Sequence, residues 1–317
     1  MSDKFEADLS VELGPLKLKN PVLVSSGTFG YGEEYGDFYD PSRLGGMVTK
    51  SITLEEREGN PPPRMVETPC GTLNSIGLQN VGVERFLREK LPVLRGIETV
   101  RIVSIAGSTP DEYAEVARRL DGAAGVDAIE VNASCPNVRR GGISFGSSPG
   151  QLSALTAAVR SAARLPLIVK LSPNVTSVEE IGRAAVDAGA DALSLLNTFR
   201  GMAIDVETRR PLLGGVTGGL SGPAIKPLAL WHVYQLTLNL DVPVIGMGGI
   251  STGTDALEFI LAGANAVAVG TANFVQPLTP VNVIRDIEDY CRSHRVSAIS
   301  SLVGAARRTG AEPLPER

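Results

Sequence analysis

The feature that leaves this chain the fewest folds is a regular alternation. Short apolar runs at 22–25, 46–50, 102–106, 128–131, 167–171, 192–196, 244–246 and 266–269 are each separated by stretches with helix signals. The runs are near-continuous Val, Ile, Leu and Ala rather than strictly alternating, which is how strands buried on both faces read. Between them, Thr109 is a candidate N-cap with Pro110 at the first helical position. Ser177-Val178-Glu179-Glu180 has the spacing of a capping box, and Thr252-Gly253-Thr254-Asp255 opens a helix that Gly263 closes. Eight strand–helix alternations predict an α/β fold, a (β/α)8 TIM barrel, and 317 residues suit a barrel of about 250 residues plus insertions. The competitor is an open doubly wound sheet, but Gly27, Gly30 and Gly32 lack the G-x-G-x-x-G spacing expected of its first turn. Residues 9–18 alternate apolar and polar around a Gly-Pro turn, predicting an N-terminal hairpin placed to plug the barrel floor. One barrel domain is expected over 1–306, with 307–317 a frayed C-terminal tail.

Long connections at 51–80, 136–150 and 199–221 each follow a strand, so they are expected at the C-terminal face, where barrel enzymes carry their chemistry. The strands end in Ser26, Lys50, Ser104, Asn132, Lys170 and Asn197, followed by Gly248-Gly249 and Gly270-Thr271. Lysines that terminate apolar strands need an anionic or hydrogen-bonding partner, which points to a ligand. Glycine turns at 218–222, 246–251 and 269–271 offer unobstructed backbone N–H groups, and the last two follow strands seven and eight, the usual phosphate corner. The stretch Asn132-Ala133-Ser134-Cys135-Pro136-Asn137 sets two carboxamides and a thiol where a strand gives way to a Gly/Ser-rich loop.

Composition removes several function classes. A net charge of −5 argues against nucleic acid as a main partner. No apolar run approaches the roughly 18 residues of a membrane span, and the polar, acidic N-terminus resembles neither secretory signal nor transit peptide. A cytoplasmic protein is expected. Cys70, Cys135 and Cys291 are too far apart for a metal or iron–sulfur site, and the histidines, His232 and His294, fall in predicted outer helices. Neither a zinc site nor a histidine base is expected.

Four stretches together resemble one family across nearly the whole chain. They are Asn74-Ser75-Ile76-Gly77-Leu78-Gln79-Asn80, the 132–137 segment, Val169-Lys170-Leu171-Ser172-Pro173-Asn174 and Gly246-Met247-Gly248-Gly249-Ile250. In that order they resemble the flavin-containing dihydroorotate dehydrogenases. A cysteine at 135 resembles the class 1 enzymes, and the loop from Asn137 to Gly146 is similar to class 1B, the NAD-linked catalytic subunit. The resemblance implies FMN at Ser26, Lys50, Ser51, Asn132, Lys170, Leu196, Gly222, Gly248, Gly249, Gly270 and Thr271. It implies orotate at Lys50, Asn74, Ser75, Ile76, Gly77, Leu78, Asn132, Asn137, Asn197 and Thr198. The family usually has asparagine where this chain has Ser104; serine is shorter, so a bridging water is expected there.

That resemblance implies oxidation of dihydroorotate to orotate in pyrimidine biosynthesis, with Cys135, Lys50 and Lys170 as the catalytic residues. Cys135 removes the C5 proton while FMN N5 takes the C6 hydride; a thiol with a pKa of about 8.5 is a usable base near neutral pH. Lys170 faces the flavin N1/O2 edge, Lys50 the substrate carboxylate, and the asparagines match the alternating donors and acceptors of a pyrimidine ring. The chain has no NAD fingerprint and no cluster cysteines, so class 1B also implies a partner subunit with FAD and a [2Fe–2S] centre, around a homodimer core within a heterotetramer. Open alternatives are a fumarate-linked class 1A-like enzyme, a pyrimidine-reducing flavin barrel, a non-redox phosphate-binding barrel and a non-enzymatic flavin scaffold.

Overall fold

The computed structural model describes residues 6–133 and 145–307. Strands occur in the order β1 (Val11–Leu13), β2 (Leu16–Leu18), β3 (Val22–Val24), β4 (Gly46–Val48), β5 (Met65–Thr68), β6 (Gly71–Asn74), β7 (Val100–Ile105) and β8 (Ala128–Asn132). There follow β9 (Leu167–Lys170), β10 (Ala192–Leu195), β11 (Phe199–Gly201), β12 (Ile204–Asp205), β13 (Arg210–Pro211), β14 (Gly218–Ser221), β15 (Val244–Met247) and β16 (Ala266–Val269). Eight of them close into a barrel in the order β10-β15-β16-β3-β4-β7-β8-β9, and each pairing is parallel. These are the runs expected as strands, and the fold is the (β/α)8 barrel.

Burial on both faces explains the composition of the runs: Val22, Leu23, Val24, Ala128, Ile129, Val267, Ala268 and Val269 are fully buried. Several bounds differ by one or two residues, and the start of β7 is the instructive one. β7 begins at Val100, before the apolar run, because Arg101 is tolerated in a strand once its guanidinium pairs with Asp127 at 2.9 Å. Apolarity alone could not show that.

The hairpin is β1–β2, and Gly14 in its turn lies against the carbonyl of Asp191, immediately before β10. It therefore sits at the floor, opposite the mouth. Helix signals are mostly realised. Thr109 Oγ1 accepts from the Glu112 N–H at 3.2 Å to start helix Pro110–Leu120. Gly263, at φ 119°, ends helix Gly253–Ala262. The box expected at 177–180 is half formed: Ser177 Oγ accepts from the Glu180 N–H, but the Ser177 hydroxyl donates to Glu179, one residue earlier. The reciprocal box stands instead at Thr252 and Asp255, where the shorter carboxylate reaches back to the Thr252 N–H.

The long connections at 51–80 and 199–221 are ordered by each other. β11, β14, β6 and β5 form a four-stranded antiparallel sheet, so two segments far apart in sequence share hydrogen bonds above the barrel. Asn80 closes the base of the first connection: its Oδ1 accepts from the Thr53 and Gly82 N–H groups, and its Nδ2 donates to the Leu78 carbonyl. Asn174 ties down the second, donating to the Thr198 carbonyl at 3.0 Å and accepting from the Arg200 N–H at 2.9 Å. Of the third connection only 145–150 lies within the described residues, and of the tail only Arg307, whose guanidinium donates to the Thr237 carbonyl at 2.7 Å.

Candidate active site

Between the barrel mouth and that sheet lies a cavity of about 670 Å³, within the roughly 300–1,000 Å³ range of small-molecule and cofactor sites. Its walls include Ser26, Lys50, Ser51, Asn132, Lys170, Leu196, Gly222, Gly248, Gly249, Gly270 and Thr271, so every position assigned to a cofactor faces one space. Asn74, Ile76, Gly77, Leu78, Asn197 and Thr198 face it as well. Ser75 does not. It is buried, and its hydroxyl accepts from Asn60 Nδ2 at 2.9 Å, because alternation along the extended chain turns it away from the cavity that its neighbours line. Cys135 and Asn137 lie outside the described residues.

The strand ends fix the polar groups. Asn132 and Lys170 stand level on adjacent strands, and so do Lys170 and Ser194. Asn132 Nδ2 donates to Ser51 Oγ at 3.1 Å, and Asn132 Oδ1 accepts from Asn197 Nδ2 at 3.2 Å. Ser51 Oγ also shares a hydrogen bond of 2.8 Å with Ser104 Oγ. Ser104 is fully buried and absent from the cavity wall, so its hydroxyl reaches that wall only through Ser51.

Asn74 Nδ2 donates to the Gly219 carbonyl at 3.2 Å, across a backbone pairing in which a Cβ on Gly219 would lie 1.9 Å from Thr198 Oγ1. The antiparallel sheet thus brings Asn74 and Thr198 to the same wall. Lys50 is half-buried, and its ammonium is held below the ordinary lysine range, chiefly by burial; Glu34 opposes the shift and Arg64 adds to it. A cation in that state favours an anionic ligand.

The glycine corner is built by close backbone approach. Gly222 has φ 102°, and a Cβ there would lie 2.6 Å from Gly71 Cα. Gly249 packs on Lys226, whose ammonium is already engaged by Asp255 at 2.7 Å and Glu258 at 2.8 Å. An anion in this corner would therefore be met by backbone N–H groups rather than by Lys226. Burial would raise the Asp255 carboxyl, but hydrogen bonds from Lys226, Ser251 and Thr252 outweigh it and bring the pKa to about 2.

Two residues in or beneath the wall escaped the sequence reading. Asn273 follows the 269–271 turn; it is 1% exposed, donates to Thr28 Oγ1 and the Val269 carbonyl, and leaves Oδ1 without a partner among the described residues. Glu130, in the middle of β8, is fully buried with one carboxylate oxygen 4.0 Å from Lys170 Nζ. The signal for Glu130 was present, since a buried lysine requires a counter-charge and this is the one acid inside its neighbouring strand.

Among the described residues no group of His, Cys, Asp or Glu could hold a metal ion, and no helix is long and apolar enough to cross a membrane. His232 lies on helix Lys226–Asn239 and His294 caps helix Thr279–Ser293, both away from the cavity wall. Cys291 is fully buried, and burial pushes its thiol up; Cys70 is exposed and does not line the cavity.

A family model for dihydroorotate dehydrogenase matches residues 8–291. The chain belongs to this family. It is 56% identical over 297 residues to the dihydroorotate dehydrogenase B (NAD(+)) catalytic subunit of Trichlorobacter lovleyi, covering 94% of this chain and 98% of that protein. The same-named subunit of Desulforudis audaxviator is 56% identical over 301 residues, covering 95% and 98%. That of Pelobacter propionicus is 55% identical over 301 residues, covering 95% and 99%. The family match spans every barrel strand and both segments of the antiparallel sheet.

Proposed function

We propose that this chain is the NAD-linked catalytic subunit of a dihydroorotate dehydrogenase, oxidising dihydroorotate to orotate for pyrimidine biosynthesis. The observation that carries the reading is the convergence of Lys50, Asn74, Asn132, Lys170 and Asn197 with a glycine-lined anion corner on one cavity.

The cavity wall fits FMN. Gly27 lines the cavity, and a Cβ there would meet no atom within 4 Å beyond its own chain neighbours, so this part of the wall is open. The Lys170 ammonium, 7% exposed, has Ser26 Oγ at 3.4 Å and Glu130 at 4.0 Å, which leaves donor capacity toward the cavity. Asn273 Oδ1 is a buried acceptor with no donor among the described residues. Leu196, Met247 and Ile225 supply apolar surface for a ring system, and backbone N–H groups at Gly222, Gly248, Gly249, Gly270 and Thr271 suit a phosphate. Bound there, FMN would accept the hydride from C6 of dihydroorotate at N5.

The protein's part is positioning, charge and proton removal. Lys50 pairs with the substrate carboxylate. Asn74, Asn132, Asn137 and Asn197 read the pyrimidine edge, and the Asn132–Asn197 hydrogen bond fixes which face each amide presents. Lys170 would offset negative charge on the reduced cofactor. Cys135 takes the C5 proton on its sulfur. Electrons leave through a partner subunit with FAD and a [2Fe–2S] centre, assembled around a homodimer of this chain in the cytoplasm. The relatives' names, catalytic subunits of an NAD(+) enzyme, support that route.

The test is acceptor choice. A native complex should reduce NAD with dihydroorotate, whereas the isolated chain should reduce only artificial dyes. NAD reduction by the chain alone, or turnover with fumarate, would reject the partner-dependent route.

A further inference from the structure

Glu130 is the acid in the barrel core that the proposed chemistry does not use. It lies in the middle of β8, level with Ser104 on one side and Ile168 on the other, one layer beneath Asn132 and Lys170. It is fully buried. Its Oε2 accepts from Ser194 Oγ at 3.1 Å, and its Oε1 has no hydrogen-bond donor among the described residues. Among the described residues the one cation near it is Lys170 Nζ, 4.0 Å away, beyond hydrogen-bond distance and itself 7% exposed.

Placing a carboxylate there is expensive. A buried ion loses hydration that an imperfect pair does not return, and an apolar residue of similar volume is often the more stable choice. The arrangement therefore makes a poor structural brace and a good electrostatic one. Lys170 stands between two places that attract its charge, with Glu130 below and the cavity above.

We propose that Glu130 is a positioning residue that sets how much of the Lys170 positive charge is delivered to the cofactor. This rests on the proposed FMN reading of the cavity. A lone buried ammonium beside the flavin would stabilise the negative charge of the two-electron-reduced cofactor strongly. With a carboxylate 4.0 Å behind it, the net field is smaller, and the flavin holds its electrons less firmly. That suits an outlet ending in NAD, a weak oxidant, to which a tightly reduced flavin would pass electrons poorly. Ser194 binds the other carboxylate oxygen, Oε2, at 3.1 Å, away from the one that faces Lys170.

The readout is the two-electron midpoint potential of FMN bound to the protein, measured against a reference dye, with flavin absorbance confirming that the cofactor is loaded. Glu130→Gln keeps the shape and removes the charge, so it should raise the potential. At fixed ambient potential the reduced-to-oxidised ratio should rise about tenfold, which for a two-electron couple is about 30 mV. Ser194→Ala keeps the charge and frees it toward Lys170, so it should shift the ratio the opposite way, by twofold or more. A role in packing alone would not give opposite signs.

An unchanged potential in Glu130→Gln, or shifts of the same sign in both variants, overturns the proposal. Should Glu130→Gln not fold, Ser194→Ala decides alone: a lower potential supports the proposal, and an unchanged or higher one overturns it. A wild-type protein that cannot be loaded with FMN overturns the cofactor reading itself. A loaded wild type whose variants do not respond overturns only the role of Glu130.

Discussion

Asn197 Nδ2 donates to Asn132 Oδ1 at 3.2 Å, while the other end of the Asn132 amide donates to Ser51 Oγ at 3.1 Å. The two carboxamides come from strand ends separated by β9 in the barrel, and neither can rotate without breaking a bond on the cavity wall. Asn132→Ala removes both bonds, each worth about 0.5–1.5 kcal/mol, and frees the Asn197 amide to turn. Orotate affinity, followed by its perturbation of the flavin spectrum, should fall tenfold or more with FMN still bound.

Gly222→Ala tests the anion corner. A methyl group there would lie 2.6 Å from Gly71 Cα on a backbone at φ 102°, so the turn must open and its N–H groups lose their aim. FMN affinity, read by quenching of flavin fluorescence on titration into apoprotein, should weaken by tenfold or more. The barrel's circular dichroism should be unchanged.

Asp255 links the corner to acid stability. Its folded pKa of about 2 lies below the unfolded value of 3.8, so the stabilisation is present above 3.8 and is lost as pH falls toward 2. What it loses is the bond from the Lys226 ammonium, then those from the Ser251 and Thr252 N–H groups. Urea unfolding should show wild type about 1–2 kcal/mol more stable than Asp255→Asn at pH 6, with the gap closing between pH 4 and pH 2. A gap that persists at pH 2 would contradict the assignment.

The barrel was legible in the sequence because strands buried on both faces must be apolar and because Thr109, Thr252 and Gly263 announce helix ends locally. The antiparallel sheet was not. β5, β6, β11 and β14 are held by pairing between segments far apart in the chain, such as Asn74 with Gly219, and no local pattern encodes that partner. The site followed the same division. Strand-end residues such as Lys50, Asn132 and Lys170 were readable from position alone, whereas Ser75 and Ser104 could be placed only once side-chain direction was known. Glu130 was passed over because one acid in an apolar run looks like noise until its neighbour Lys170 is seen to need it.

Cys135→Ser addresses proton removal at a position outside the described residues. Flavin reduction by dihydroorotate should slow by at least a hundredfold at neutral pH with FMN content unchanged, and recover in part at high pH, since a serine hydroxyl is the poorer base. A wild-type rate in the variant would remove Cys135 from the mechanism.

The most direct test of the whole account is anaerobic stopped-flow mixing of the FMN-loaded chain with dihydroorotate, with no other electron acceptor present. The account predicts rapid bleaching of the visible flavin absorbance and one orotate formed per flavin. A bound flavin that stays oxidised in the presence of excess dihydroorotate would contradict it.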